Sequence, residues 1–329
     1  EYLGFTFVDA ADVVAFHQDG ELDLDRTADQ LKRVLAEKSV PGEKLRVVMP
    51  GFYGATRDGR VKLLDRGGGD ISGSILAKCL SADVYENWTD VSGFYAVDPR
   101  IVPTAEVIRR ITYTELRELS YMGASVLHED AIFPIRDAGI PIVIKNTNRP
   151  EDPGTIISER AEHEGEPEPI ITGITGKRDF VGVRVVKNHM STEVGFLRRV
   201  LTIFERYHVS IEHIPTGIDS CAVVCQKQDI KDVLYSIVAD IKSELKPDNI
   251  EVIEDLALVA TVGRNMASRP GISGHLFGAL GQAGVNIRMI AQGSDEINII
   301  AGVKSDEFER AIKVIYQAFL NKGGHIDCV

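Results

Sequence analysis

The spacing of apolar residues divides the first 160 residues into strand and helix patterns. Residues 5–10 form a short strand pattern, and residues 25–37 repeat apolar positions with helical spacing. Residues 45–49 form the apolar run of a buried strand, and residues 83–88 and 140–147 add two further strands. Strand, helix and strand in this order predict a parallel sheet with crossover helices, and hence an α/β fold.

The second half of the chain repeats itself. Met266 stands 76 residues after Met190, and the same separation relates six further pairs. These pairs are Gly195 and Gly271, Val209 and Val285, Ile211 and Ile287, Ile214 and Ile290, Gly217 and Gly293, and Asp219 and Asp295. One separation shared by this many pairs indicates duplicated structure, and each copy shows the β-α-β-β-α-β pattern of a split βαβ unit.

The second copy lacks a clear fourth strand pattern, whereas residues 170–175, just before the first copy, form an unassigned strand pattern. We therefore expect residues 170–175 to pair within the second copy, with the first copy inserted into it. The acidic, proline-containing residues 158–169 are typical of a linker between the two halves of the chain.

A glycine-rich turn is the strongest candidate for chemistry in the first half. Arg66 is followed by Gly67-Gly68-Gly69-Asp70 and then at once by a helical pattern. Glycines allow backbone N–H groups to approach a ligand, and a helix N-terminus favours an anion. Arg66 adds a bidentate donor for carboxylate or phosphate. The alternative is a structural turn in which Asp70 is the helix N-cap.

Residues 89–100 form a second candidate site just past a predicted strand. They combine Asp90, Tyr95 and Arg100 with hydroxyl side chains, which suits a nucleotide: the tyrosine to stack, the aspartate for polar groups and the arginine for phosphate. The alternative is a surface loop with the turn chemistry of Asp98-Pro99.

Charge and cysteine content narrow the classes of function. The 329 residues carry 37 basic and 49 acidic side chains, a net charge of −12, without a run of Lys and Arg. This composition argues against a nucleic-acid or membrane surface. No apolar run approaches the roughly 20 residues that span a bilayer. Four cysteines in a chain of this length indicate a reducing, cytoplasmic location rather than a disulfide framework, and we expect no metal at Cys221 and Cys225.

Four motifs of the first half closely resemble aspartokinases in order and spacing. They are residues 64–70, residues 88–100, the helix and glycine motif of residues 113–128, and Pro153-Gly154-Thr155. The resemblance implies an amino-acid-kinase fold and transfer of the γ-phosphoryl group of ATP, with Mg²⁺, to the side-chain carboxylate of L-aspartate, which gives 4-phospho-L-aspartate.

The resemblance also implies roles for matching residues. Arg66 and Asp70 would be catalytic, and Arg66, Gly67, Gly68 and Gly69 would bind aspartate. The nucleotide would be held by Thr89, Asp90, Tyr95 and Arg100. No resident metal site is expected.

Three departures from the family pattern qualify these expectations. Gly69 stands where the family usually has serine, and Ser125 stands where some members have a lysine. The family's N-terminal Lys-Phe-Gly-Gly strand and an upstream glutamate do not occur in the sequence. The chain therefore resembles an N-terminally incomplete aspartokinase, and the alternative is a regulatory, amino-acid-binding piece without turnover.

The two repeat units resemble ferredoxin-like ACT domains, through residues 195–197, 209–211, 270–271 and 285–287. The resemblance implies feedback regulation by lysine, threonine or both. Matching effector residues are Met190, Phe196, Leu197, Ser210, Ile211, Glu212 and Thr216. A homodimer or homotetramer through the ACT domains is expected. The predicted domains are a partial kinase domain at 1–160, a linker at 161–169, a first ACT domain at 181–250, and a second at 170–180 and 251–329.

Overall fold

The structure is a computed structural model that describes residues 4–64, 67–123, 132–160, 169–267 and 269–320. The described residues fall into two compact units. The first unit draws on Glu1–Phe94, Val107–Ser120 and Ser125–Glu166. The second unit draws on Tyr95–Glu106, Tyr121–Ala124 and Pro167–Val329. The predicted domain bounds stay a prediction.

Short strands and parallel pairing characterise the first unit. Its described strands are β1 (Thr6–Phe7), β2 (Ala15–Phe16), β3 (Val47–Val48), β4 (Tyr53–Thr56), β5 (Val61–Leu63), β6 (Tyr85–Thr89), β7 (Arg110–Thr112), β8 (Ile142–Asn146) and β9 (Thr155–Ser158). Parallel pairs join β1 to β3, β2 to β4, β6 to β8 and β7 to β9. Antiparallel pairs join β4 to β5 and β8 to β9. The predicted parallel-rich α/β architecture is confirmed.

Several helices of the first unit begin at side-chain caps. They are α1 (Ala10–Val13), α2 (Leu24–Lys38), α3 (Gly68–Leu80), α4 (Tyr113–Tyr121) and α5 (Ile132–Arg136). The side chain of Asp23 caps α2 by accepting a hydrogen bond from the Arg26 N–H at 3.1 Å. At α4, the Glu115 carboxylate accepts from the Thr112 N–H at 2.9 Å, while Thr112 Oγ1 accepts from the Glu115 N–H at 3.2 Å. This reciprocal pair is a capping box.

One strand of the first unit differs from its prediction. Residues 45–49 were expected to form a buried strand, but β3 contains two residues, and Val48 is 43% exposed. The described partner of β3 is the two-residue strand β1, so this apolar run joins only a short stretch of sheet. An apolar run alone does not distinguish a buried strand from a half-exposed one.

A continuous five-stranded antiparallel sheet organises the second unit, in the order β11-β10-β12-β14-β13. Its strands are β10 (Gly173–Val186), β11 (Ser220–Gln226), β12 (Asn249–Val262), β13 (Met289–Gln292) and β14 (Asn298–Lys304). The strands β10 and β12 each contain 14 residues and run through both repeat units. Residues 173–177 pair with residues 258–262, and residues 182–186 pair with residues 249–253. This is the pairing that an inserted first copy requires.

Two predicted strands therefore form one. Residues 170–175 and 183–187 were expected as separate strands, but β10 continues through residues 178–181 by way of register shifts. Asp179 and Asp255, on the two facing strands, have φ values of +66° and +56°. These irregularities bend the sheet without ending it.

Helices cover the sheet and bury two apolar clusters. They are α6 (Phe196–Arg206), α7 (Lys227–Ile230), α8 (Leu234–Leu245), α9 (Ile272–Gln282) and α10 (Phe308–Phe319), with short 3₁₀ turns at Met190–Thr192, Arg264–Met266 and Ser305–Glu307. One cluster joins α6 and α8 to the half of β10 that contains Val183, and Phe204 is fully buried in it. The other joins α9 and α10 to β12 and β14, around Leu280 and Ile312.

The strand predicted near residues 209–214 is reduced to isolated bridges. His213 pairs with Val224 and Thr216 with Cys221. Pro215 has no N–H to donate to a regular ladder, although its carbonyl accepts from the Ala222 N–H at 2.9 Å. This edge of the sheet is therefore irregular.

Candidate functional site

The glycine-rich turn forms the start of α3. Gly67 is the N-cap of this helix, with φ +83°, a left-handed conformation that favours glycine. Asp70 is the third helical residue, so the alternative in which Asp70 caps the helix is wrong. Arg66, the predicted aspartate ligand, lies outside the described residues.

Gly68 is required by close packing against the loop after β3. A Cβ atom on Gly68 would lie 2.5 Å from the Phe52 ring and 2.9 Å from Leu64 Cβ, whereas a Cβ atom on Gly69 would meet no atom of the described residues within 4 Å. Ser72 Oγ strengthens the contact, accepting from the Phe52 N–H at 2.9 Å and donating to the Gly68 carbonyl at 2.7 Å. The turn is thus fixed against residue 52.

Phe52 is a candidate site residue that the sequence reasoning missed. Its side chain is 44% exposed beside the glycine-rich turn, and its φ of +80° is unusual for a residue with a side chain. Such strained residues concentrate at ligand sites. The Pro-Gly-Phe-Tyr-Gly run of residues 50–54 was the available sequence signal.

A polar network orients Asp70. Its Oδ1 atom accepts from Asn87 Nδ2 at 2.8 Å, and the same amide nitrogen donates to the Tyr85 hydroxyl at 3.1 Å. Tyr85 donates in turn to the Asp70 carbonyl at 3.3 Å, and burial raises the pKa of Tyr85, which keeps its hydroxyl protonated. Asn87 is buried on β6 and was not predicted as a site residue. The sequence feature that could have indicated it is an amide side chain within a strand pattern.

The start of α3 has the electrostatics of an anion site. The first N–H groups of a helix have no intrahelical partner, and no side chain among the described residues caps this helix. The helix dipole adds partial positive charge at the same end of the 13-residue helix. A carboxylate or phosphate is therefore favoured there, while the Asp70 carboxylate provides an acceptor beside it.

Two of the predicted nucleotide residues lie together at the end of β6. The Thr89 hydroxyl donates to Asp90 Oδ1 at 3.2 Å. The Thr89 carbonyl accepts from both the N–H and the hydroxyl of Thr147, each at 2.8 Å. Because β6 and β8 are parallel neighbours, their carboxyl ends meet here, where α/β sheets bind ligands.

The other two predicted nucleotide residues, Tyr95 and Arg100, belong to the second compact unit. Arg100 Nε donates to both carboxylate oxygens of Asp98, each at 3.0 Å, and Arg100 Nη2 donates to Asp98 Oδ2 at 2.7 Å. This hydrogen bonding lowers the pKa of Asp98. The phosphate-binding role of Arg100 stays a prediction.

The predicted effector residues divide between two cavities. A cavity of about 310 Å³ is lined by Met190, Phe196, Leu197 and Thr216. Ser210 and Ile211 line a second cavity, of about 820 Å³. Glu212 accepts hydrogen bonds from the Tyr121 hydroxyl at 2.6 Å and from Gln226 Nε2 at 3.0 Å.

Glu193, in the wall of the smaller cavity, was missed by the sequence reasoning. Its carboxylate pairs with Lys187 Nζ at 2.8 Å and also with Arg199. The hydrogen bond from Lys187 is the main reason that the pKa of Glu193 is lowered. Lys187 also lies 5.1 Å from the centroid of the Phe196 ring, so it joins the acid to the apolar wall.

Cys221 and Cys225 are core residues of the second unit. Burial raises the pKa of Cys225 to about 12, which disfavours the thiolate that binds metals. Cys225 Sγ lies 3.8 Å from the Val181 carbonyl. Within the described ranges, no group of three or more His, Cys, Asp or Glu side chains could hold a metal ion. Nor does any helix in those ranges have the length and apolarity needed to cross a membrane.

Comparison with known proteins assigns the family. Residues 7–146 match the Amino acid kinase family, and residues 259–319 match the ACT domain. The crystal structure of Clostridium acetobutylicum aspartate kinase is similar, with a TM-score of 0.87 and 46% identity over 97% of this chain and 70% of that chain. The chain belongs to the aspartokinase family.

Two further family members are similar to this chain over most of its length. Aspartokinase 3 of Bacillus subtilis (strain 168) is 39% identical over 274 residues, which are 83% of this chain and 60% of that protein. The chain thus spans 60% of the length of this relative. E. coli aspartokinase III in complex with lysine and aspartate has a TM-score of 0.75 and 28% identity, over 96% of this chain and 69% of that one. Its complex with aspartate and ADP has a TM-score of 0.69.

Proposed function

We propose that the protein is an aspartate kinase that transfers the γ-phosphoryl group of ATP to the side-chain carboxylate of L-aspartate and forms 4-phospho-L-aspartate and ADP. The observation that carries the proposal is the glycine-rich start of α3, with its anion-favouring helix end and a hydrogen-bonded Asp70, in a chain of the aspartokinase family. A relative from E. coli has been solved with aspartate and ADP.

In this proposal, the positively and negatively charged groups around the start of α3 have different roles. Arg66 and the N–H groups of Gly67, Gly68 and Gly69 bind the aspartate anion, while Asp70, oriented by Asn87, organises the transfer site. Phosphoryl transfer depends mainly on positioning and on neutralisation of charge. The tight packing of Gly68 against Phe52 supplies the positioning.

Thr89, Asp90, Tyr95 and Arg100 are proposed to bind ATP. Mg²⁺ is proposed to enter with the nucleotide, because this ion prefers to keep waters and substrate phosphates as ligands with one or two carboxylates. Asp70 and Asp90 are carboxylates of the required kind. Bound Mg²⁺ would neutralise phosphate charge.

We also propose feedback regulation by lysine, threonine or both at the ACT domains. The cavity beside Phe196 combines an apolar wall with Glu193, whose carboxylate is paired with Lys187 and Arg199, so this cluster has a net positive charge that suits the carboxylate of an amino acid. The E. coli relative has been solved with lysine and aspartate. A homo-oligomer through the ACT domains and a cytoplasmic location belong to the same proposal.

The decisive assay traps aspartyl phosphate with hydroxylamine in the presence of ATP, Mg²⁺ and L-aspartate. Product formation that falls on addition of lysine or threonine is the expected result. Absence of product, with amino-acid binding retained, would favour the alternative of a regulatory piece without turnover. Arg66→Ala should weaken aspartate binding, and an unchanged aspartate affinity would refute the role given to Arg66.

A further inference from the structure

The loop of residues 89–94, here called the β6 loop, is tied at three points to the chain around β8 and β9. At its start, the Thr89 carbonyl accepts two hydrogen bonds from Thr147. At its end, the Phe94 N–H donates to Thr155 Oγ1 at 2.9 Å. The third tie lies between them and is made by a chain of side chains.

This middle tie is a directed hydrogen-bond chain. Asn146 Nδ2 donates to Ser92 Oγ at 2.9 Å, and the Ser92 hydroxyl donates to Asp152 Oδ2 at 2.6 Å. Ser92 and Asn146 are buried, with 7% and 6% exposure. A serine hydroxyl has one proton, so acceptance from Asn146 leaves that proton for the carboxylate. The bond to Asp152 is charge-assisted and therefore among the stronger ones.

Asp152 is itself held in place independently of Ser92. Its carbonyl accepts from Lys145 Nζ at 2.9 Å, and its N–H donates to the Arg149 carbonyl at 3.1 Å. Lys145 Nζ also lies 5.7 Å from the centroid of the Trp88 ring, immediately before the β6 loop. The backbone of Asp152 is thus held without Ser92, and its carboxylate is the acceptor to which the loop is attached.

We propose that Asp152 is a positioning residue for nucleotide binding: through Ser92 it holds the β6 loop, and with it Asp90, in the binding conformation before the nucleotide arrives. This inference rests on the proposed function, in which Thr89 and Asp90 contact ATP. A loop that is already ordered loses less conformational entropy on binding, and affinity rises accordingly. Asp152 makes no contact with the nucleotide in this scheme.

The chain contains a single tryptophan, Trp88, next to the β6 loop, so tryptophan fluorescence can report binding of Mg·ADP to the full chain. Asp152→Ala should raise the Kd for ADP about tenfold, the effect of losing one charge-assisted hydrogen bond. Asp152→Asn keeps an oxygen acceptor for Ser92 and should restore the Kd to within about threefold of wild type. Glu151→Ala, which removes an exposed acid next to Asp152, is the matched control and should leave the Kd unchanged.

Steady-state kinetics distinguish a positioning role of Asp152 from a general loss of folded structure. Asp152→Ala should raise KM for ATP and leave KM for aspartate unchanged. Ser92→Ala removes the same tie without touching the acid and should reproduce the ADP effect; it replaces Asp152→Ala if far-UV circular dichroism shows that the latter is unfolded. Hydrogen exchange at the Phe94 amide should become faster in both variants.

The outcomes distinguish the inference from the proposed function. Wild-type binding of ADP together with unchanged binding by Asp152→Ala and Ser92→Ala would overturn the inference alone. Equal losses in Asp152→Asn and Asp152→Ala would also overturn it, because the retained acceptor would then have no effect. If the wild-type chain does not bind ADP, the nucleotide part of the proposed function is wrong and the inference fails with it.

Discussion

The two compact units of this aspartokinase chain are stabilised by different kinds of interaction. Strands of the first unit contain two to five residues, whereas β10 and β12 in the second contain 14 each. Of the twelve buried polar or charged side chains among the described residues, nine belong to the first unit. The three in the second unit are Thr172, Thr175 and Thr261.

This difference connects structure to the proposed roles. Buried polar groups need specific partners, so they fix loops in one geometry, as Asn87 does for Asp70 and Asn146 does for Ser92. The second unit instead buries the apolar faces of its long strands beneath helices, in two clusters. The first unit is organised by directed bonds at strand ends, and the second by a large apolar sheet.

The largest expected effect comes from the apolar core of the second unit. Phe204→Ala, at a fully buried site, should cost about 3–5 kcal/mol. Trp88 lies in the first unit, so its fluorescence follows that unit alone, while far-UV circular dichroism follows both. In urea, part of the dichroism transition should move to lower concentration and the Trp88 transition should stay. Equal shifts of both signals would contradict the contrast between the units.

The next effect tests directed packing in the first unit. Gly68→Ala places a Cβ atom 2.5 Å from the Phe52 ring and should cost about 1–3 kcal/mol, read from the Trp88 transition. Gly69→Ala is the matched control, because its Cβ atom meets open space, and its change should be less than about 1 kcal/mol. If the two variants unfold alike, the close contact with Phe52 does not stabilise the turn.

A smaller effect tests the second unit's preference for apolar contacts. Thr261 Oγ1 is buried and has no hydrogen-bond partner in the part of the chain that the structure describes, so Thr261→Val should raise the free energy of unfolding by about 1 kcal/mol. The control is Thr175→Val: the Thr175 hydroxyl donates to the Met122 carbonyl at 3.2 Å, and its loss should destabilise. Both are measured by dichroism in urea, and a destabilised Thr261→Val would mean that the hydroxyl has a stabilising role.

The smallest effect is a pH dependence at the irregular edge of the sheet. Burial lowers the pKa of His213 below its ordinary value. As the pH falls through about 6.5, the unfolded chain binds the proton more readily than the folded one, so stability is lost. Between about pH 7.5 and about pH 5.5, wild type should therefore lose more stability than His213→Gln. Identical losses in the two proteins would assign the pH dependence to other groups.

The sequence predicts local elements of the fold well. Helix α2 was expected at 25–37 and spans Leu24–Lys38, because helical periodicity is carried by the helix itself. The strand pattern of residues 173–186 is interrupted by Lys177, Arg178 and Asp179, so one strand was predicted as two. Pairing with β12 at Lys177 and Phe180, and with β11 from Phe180 onward, keeps that segment extended, and partners so distant in the chain are invisible to local periodicity.

The candidate site shows the same limit. The turn at Gly67–Asp70 could be predicted from its glycines, but Asn87 and Ser92 act through partners distant in the chain, Asp70 and Asp152. The placement of Phe52 depends on a positive φ, which could not be predicted from its residue type. The effector residues matched the family motif as one group, yet Ser210 and Met190 line different cavities.

The shared strands of the second unit have a consequence for modularity. The inserted copy leaves and rejoins the rest of the unit along β10 and β12, near Phe180 and Leu256, which are register partners on adjacent strands. Excision of the residues between them would leave two ends about 5 Å apart, a gap that a two-residue hairpin turn closes. A domain held in this way can be exchanged for another without moving the ends of the chain that carries it.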